Sequence, residues 1–263
     1  MSFQVTPEQI ADFKRDGFII ARGILEPNEV ELLLATARGD GSVERDALQR
    51  ADGEGGITRL RVWNWESDDI YGMVARSHRV VDSMESLLGD EVYFYHSKMM
   101  LKEPKTGGAW AWHQDYGYWY NNGCLWPDMG SCLIALDPAR KENGCLQVLS
   151  GSHLVGRIDH QKVGDQTGAD PERVKHFVDR LPLVYCEMDP GDAILFHGNL
   201  LHRSDQNHSD QSRWSYICCY NTRHNDPVKQ HHHPNYHKLE KVDDQQIQEL
   251  AEEHAVRART VRT

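Results

Sequence analysis

Leu183-Val184-Tyr185-Cys186-Glu187-Met188-Asp189-Pro190-Gly191-Asp192-Ala193-Ile194-Leu195-Phe196-His197-Gly198-Asn199-Leu200-Leu201-His202-Arg203-Ser204 is the stretch on which the fold turns. Two short apolar runs, 183–188 and 193–196, read as strands, and Asp189-Pro190-Gly191-Asp192 between them reads as a turn. Working outward, the same pattern recurs at Ser131–Leu136, Cys145–Leu149 and Trp214–Tyr220. From Glu91 to Lys102 the period is two: Tyr93, Tyr95, Ser97, Met99 and Leu101 share one face, and Phe94, His96, Lys98, Met100 and Lys102 the other. A face mixing His, Lys and Met is unusual for a buried strand and suits a polar cavity. Short strands divided by Gly, Pro and Asn turns predict a mainly β protein with flanking helices, a double-stranded β-helix or cupin-like jelly roll.

The helices are expected at the edges. Thr6 caps a first helix with Pro7 at its start and Gln9 completing a capping box, ending near Asp16-Gly17. A second opens at Pro27-Asn28-Glu29 and runs to about Arg38, a third spans Asp68 to Leu88, and a charged one spans Asp243 to Arg259. Residues 39–56 are polar and without a clear period, which predicts a mobile surface loop or lid. Residues 154–180 read as a polar insertion with a short helix. Arg59–Trp65 alternates basic or aromatic residues with aliphatics, as a strand at a pocket mouth or an edge strand with solvated arginines would.

The 263 residues show no composition break and no internal repeat, so one domain over 1–263 is expected. A net charge of −11, with Lys and Arg scattered, argues against nucleic acid and anionic membranes as partners and leaves a small-molecule substrate. The start Met1–Thr6 has no basic region before an apolar core, and no stretch approaches a membrane span; a cytoplasmic monomer or homodimer is the expectation. Cys124, Cys132, Cys145, Cys186, Cys218 and Cys219 lack paired spacing and several sit in apolar runs, so they read as reduced core residues.

Chemistry concentrates at Trp112-His113-Gln114-Asp115-Tyr116. On an extended strand His113 and Asp115 point to one side, and His202, just past an apolar strand, supplies a third donor. Two His and one carboxylate with an open side is the donor set of non-haem Fe(II) oxygenases. His197 competes with His202, but only His202 has Ser204 two residues on and Arg213 eleven on. Arg213 opens an apolar strand, and a guanidinium entering a barrel needs an anionic partner. A dicarboxylate would answer it in a bidentate pair, helped by the Ser204 hydroxyl. His231-His232-His233 is a rival by count; adjacent residues in regular structure do not converge on one ion, which favours a solvated loop. The aromatics Trp112, Tyr116, Tyr118 and Trp119 suit a substrate wall, with core packing as the competing role.

The chain resembles the phytanoyl-CoA dioxygenase family of Fe(II)- and 2-oxoglutarate-dependent oxygenases. The resemblance is carried by Asp16-Gly17-Phe18, His113-Gln114-Asp115, Glu142–His153, Pro190-Gly191-Asp192, and His202 with Ser204 and Arg213. It implies the double-stranded β-helix, with iron on His113, Asp115 and His202, and the far carboxylate of 2-oxoglutarate on Arg213 and Ser204. His96-Ser97-Lys98-Met99-Met100 stands where the family contacts the keto-acid end, which gives His96 and Lys98 as further cofactor-binding residues. Ectoine hydroxylase-like members carry Gln at the position of His96. The activity implied is hydroxylation of an unactivated C–H bond with O2, releasing succinate and CO2; Asp115 argues against halogenation, whose enzymes lose the carboxylate. An acyl-CoA 2-hydroxylase, a cupin-like Zn or Mn enzyme and a binding protein on the same barrel are the alternatives. A small polar or zwitterionic metabolite is the expected substrate, since the acidic surface offers no dock for CoA phosphates.

Overall fold

The computed structural model describes residues 3–39 and 41–261; the ends of the expected 1–263 domain and position 40 of the expected lid lie outside it. In chain order the elements are α1 (Pro7–Asp16), β1 (Phe18–Ala21), α2 (Pro27–Gly39), α3 (Ser42–Arg45), β2 (Leu48–Ala51), β3 (Ile57–Trp63), α4 (Ile70–Ala75), α5 (His78–Leu88) and β4 (Val92–Lys102). There follow β5 (Trp110–His113), α6 (Asp115–Trp119), β6 (Met129–Ala135), β7 (Leu146–Leu149), β8 (His160–Val163), β9 (Gln166–Ala169) and α7 (Pro171–Val178). The chain closes with β10 (Leu183–Cys186), β11 (Ala193–His197), β12 (His202–Ser204), β13 (Arg213–Thr222) and α8 (Asp244–Val261).

A seven-stranded sheet in the order β1-β11-β6-β13-β4-β3-β2 faces a four-stranded sheet in the order β10-β7-β12-β5, all pairs antiparallel. This is the cupin-like jelly roll. Strands β6, β11 and β13 are buried on both sides because each serves two cores. Leu133, Ile194, Phe196 and Ile217 point between the sheets to meet Leu146 and Val148. Cys132, Ile134, Leu195, Tyr216 and Cys218 point outward, where α2, α4, α5 and α8 cover them. Continuous apolar runs are what strands buried on both faces require. All six cysteines are buried and free.

The capping box at Thr6 forms as the sequence predicts, and Gly17 ends α1 in the left-handed conformation, φ 85°. Its approach is close: a Cβ there would meet the His153 ring at 2.5 Å. The single helix expected over 68–88 is instead α4 and α5. The helix breaks at residues 76–77, where the chain exchanges backbone bonds with Val242, His78 N–H donating to its carbonyl and its N–H to that of Arg76. The 39–56 stretch is not an unstructured loop: it forms α3 and then β2, which extends the large sheet by pairing with β3. Asp52 shapes the turn after β2, accepting from the N–H groups of Glu54, Gly56 and Ala109 at 2.8–2.9 Å. The 154–180 insertion holds the β8–β9 hairpin besides its helix α7.

The alternation read for 91–102 breaks at one place. Phe94 pairs with Tyr220 and His96 with Cys219, so Tyr95 is an extra residue, a β-bulge. Beyond it His96, Lys98, Met100 and Lys102 face the barrel interior; before it Tyr93 and Tyr95 do, and Phe94 packs under the helices. The expected grouping of Phe94 with His96 is corrected by that single residue.

Candidate metal centre and its two cavities

His202, first in β12, sits directly opposite His113, last in β5, with ring centroids 4.0 Å apart. The backbone of Gln114 remains extended (φ −108°, ψ 131°), which turns Asp115 to the same side as His113, although Asp115 is the first residue of α6 and not a strand residue. Gln114 points away: its amide donates to Asn199 O at 3.0 Å and accepts from Ile158 N at 2.8 Å.

Each imidazole is oriented by the carbonyl two residues before it. His113 Nδ1 lies 2.8 Å from Ala111 O and His202 Nδ1 2.9 Å from Leu200 O, so both Nδ1 atoms carry the proton and both Nε2 atoms keep a free lone pair. The Nε2 atoms stand 3.6 and 3.9 Å from Asp115 Oδ1, and one donor atom from each of the three residues lies within 4.8 Å of the others. Burial and the neighbouring His113 ring lower the His202 pKa to about 3, which keeps it neutral. Burial alone would raise the Asp115 carboxyl, but Lys98 and the two imidazoles hold it below its usual range, and Ser131 Oγ donates to its other oxygen at 3.1 Å. Two imidazoles that present Nε2 and one carboxylate, converging from one side, fit a divalent iron with positions left over.

A cavity of about 50 Å³ runs from this triad to Arg213. Arg213 opens β13 opposite Lys102, and both are buried. Lys102 Nζ donates to Ser204 Oγ at 3.0 Å and to Asp205 O; among the described residues Arg213 has only a 3.4 Å contact with Ser215 Oγ, and its Nε has no partner. Burial, then the Arg213 charge, lowers the Lys102 pKa, and burial lowers that of Arg213 to about 10. Arg213 at the end of this cavity, with Lys102 bonded behind Ser204, makes an anion site. Lys102 escaped the sequence reading even though its alternation with His96 and Lys98 put it on the cavity face.

A second cavity, about 370 Å³, meets the first at Lys98, Trp110 and Asp115. Helical spacing in α6 brings Tyr118 and Trp119 into its wall along with His96, Asn122, His232 and His233. Tyr118 lies 5.5 Å from the His113 ring, and its hydroxyl donates to Thr167 O. His96 stacks on His233 at 4.6 Å, in this cavity and not beside Arg213; Lys98 borders both cavities. Two expected wall residues are placed elsewhere. Tyr116 turns to the other side of α6, where its hydroxyl donates to Leu125 O at 2.6 Å. Trp112 is turned outward by an irregularity in β5 opposite β12, into a surface groove where Arg203 covers its ring at 5.6 Å. The same irregularity turns Trp110 inward. His197 faces α1, 6.2 Å from Phe13, and takes no part in the triad. Asn122 arrives from the short 3-10 turn that follows α6, and His233 from the His231-His232-His233 run that the sequence placed in a solvated loop.

Residues 13–215 match the family model described as Phytanoyl-CoA dioxygenase (PhyH). L-proline trans-4-hydroxylase of Streptomyces griseoviridis is 28% identical over 236 residues, covering 82% of this chain and 86% of that one. Ectoine dioxygenase of Bordetella bronchiseptica is 26% identical over 238 residues, covering 84% and 77%. The crystal structure of EctD from S. alaskensis with 2-oxoglutarate and 5-hydroxyectoine superposes with a TM-score of 0.72 at 25% identity, over 91% of this chain and 88% of that one. The same protein with bound Fe gives a TM-score of 0.76.

Proposed function

The chain belongs to the phytanoyl-CoA dioxygenase family, and from that premise we propose that it hydroxylates an unactivated C–H bond of a small metabolite at the centre built by His113, Asp115 and His202. It is an iron- and 2-oxoglutarate-dependent dioxygenase. The observation that carries the site assignment is the locked pair of imidazoles, whose Nε2 atoms share Asp115 in a cavity that reaches the buried Arg213.

When bound, iron with 2-oxoglutarate and O2 supplies the oxidation that converts C–H to C–OH, with release of succinate and CO2. The protein's part is placement. Arg213 and the Ser204 hydroxyl hold the far carboxylate, and Lys102 adds a second charge while fixing Ser204. The Nδ1–H bonds of His113 and His202 keep both rings aimed as donors throughout a turnover. Tyr118 and Trp119 wall the second cavity and exclude water from the reacting end. Lys98, between the cavities, faces the region where the keto-acid end would lie.

A volume of about 370 Å³ suits a small metabolite. One catalytic domain spans the chain and works as a monomer or homodimer in the cytoplasm, apart from nucleic acid and membranes. The net charge of −11 supports the lack of nucleic-acid and anionic-membrane partners, and no described helix is long and apolar enough to cross a membrane. The test is oxygen-dependent conversion of 2-oxoglutarate to succinate in the presence of Fe(II), stimulated by members of a metabolite panel. His113→Ala should abolish succinate formation; activity that survives this change removes His113 from the centre.

A further inference from the structure

We propose that His231, His232 and His233 form a second metal site, for a borderline-soft divalent cation of the zinc kind, on the wall of the second cavity. The sequence expectation that neighbouring residues cannot converge holds for helices and strands, but here the chain bends at His232 and His233. The three rings fold together with centroids 3.9, 4.0 and 5.6 Å apart, and one donor nitrogen from each lies within 4.8 Å of the others. Donors around a tetrahedral zinc at 2.0–2.1 Å stand about 3.4 Å apart, a distance small ring rotations reach.

The loop is held in this shape independently of the three rings. Val228 N–H donates to Gly123 O at 3.0 Å, the Asn235 amide donates to Pro227 O at 3.0 Å, and the Tyr236 hydroxyl donates to Glu91 at 2.8 Å. His233 is clamped between Tyr95 and His96, at 4.5 and 4.6 Å. The Nδ1 atoms of His231 and His233 are buried without a hydrogen-bond partner among the described residues, which a solvated loop would not produce. Three imidazoles with a fourth position open is a zinc donor set. Since all three donors are neutral, that position favours an anionic group. His232 and His233 border the cavity that Asp115 borders, so on the reading of that cavity as the substrate's, the anion is a group of the substrate.

The test uses the full chain without an affinity tag, stripped of metal and dialysed against micromolar Zn²⁺. The wild type should retain two zinc ions per chain, His231→Ala/His232→Ala one, and His113→Ala/His202→Ala one. Zinc content unchanged in the first variant overturns the proposal, as does zinc absent from the second. The iron-site assignment fails by a separate result, a His113→Ala/His202→Ala chain that retains as much zinc as the wild type. His232→Gln, a single change at an exposed position, should weaken Co²⁺ binding to this site at least tenfold in visible absorption titrations, with an unchanged far-UV spectrum. Unaltered Co²⁺ affinity there overturns the proposal too.

Discussion

Arg79 and Arg213 are equally buried, at 5% and 4% exposure, and differ in what answers their charge. Arg79 on α5 meets Glu29 on α2 in a two-pronged pair, at 2.7 and 2.9 Å, and the carboxylate is as buried as the guanidinium. Arg213 forms no ion pair among the described residues; its neighbour across β4 is another cation, Lys102. A buried guanidinium without an anion is strongly disfavoured. The chain has built the anion in for the first arginine, and an outside ligand must bring it for the second. One arginine belongs to the fold; the other is the one proposed above to hold the far carboxylate of 2-oxoglutarate.

That division can be broken by substitution. Glu29→Ala should cost about 3 kcal/mol of stability, because it removes the two-pronged partner of a buried guanidinium and leaves it only the 3.5 Å contact of its Nε with Asp244. Urea unfolding measures this, and a loss below about 1 kcal/mol, the scale of an exposed pair, would remove the contrast. Arg213→Gln should do the reverse, holding or raising stability while the 2-oxoglutarate needed for half-maximal succinate formation rises about 100-fold, equivalent to about 2.7 kcal/mol. Unchanged dependence on 2-oxoglutarate would end the assignment of Arg213. Lys102→Met should raise the same requirement by about tenfold, or about 1.4 kcal/mol, since Ser204 and Arg213 both remain.

The smallest effect concerns a buried group that answers burial by giving up its charge. Burial, then His153, lowers the His197 pKa from 6.5 to about 4. Between those values the unfolded chain takes up a proton that the folded chain refuses, so stability falls as pH drops from 6.5 towards 4, by at most about 1.4 kcal/mol per pH unit. Unfolding curves at pH 7.0 and 5.5 should show this loss, and His197→Gln should reduce it; an equal slope in both chains would mean that His197 titrates normally.

β6, β11 and β13 were legible because double burial writes them as apolar runs, and the capping box wrote α1. His113, Asp115 and His202 were legible as a spacing plus a downstream Ser and Arg. What escaped was set by tertiary partners. The break at Ser77 exists because Val242 pairs there, and α6 exists where a run of aromatics reads as strand. Trp112 was misplaced because the irregularity beside it depends on the pairing of β5 with β12. Lys102 stood on the right face in the sequence but received no role, because its bond to Ser204 comes from a strand a hundred residues away.

The extra residue at Tyr95 divides one strand into two segments whose side chains obey opposite parities. Upstream, odd positions face the interior; downstream, even ones do. Insertions or deletions confined to the Val92–Tyr95 segment can therefore remodel the far end of the barrel while His96, Lys98 and Lys102 keep their alignment with β13. Such a strand lets one end of the fold drift in evolution while the other is held fixed.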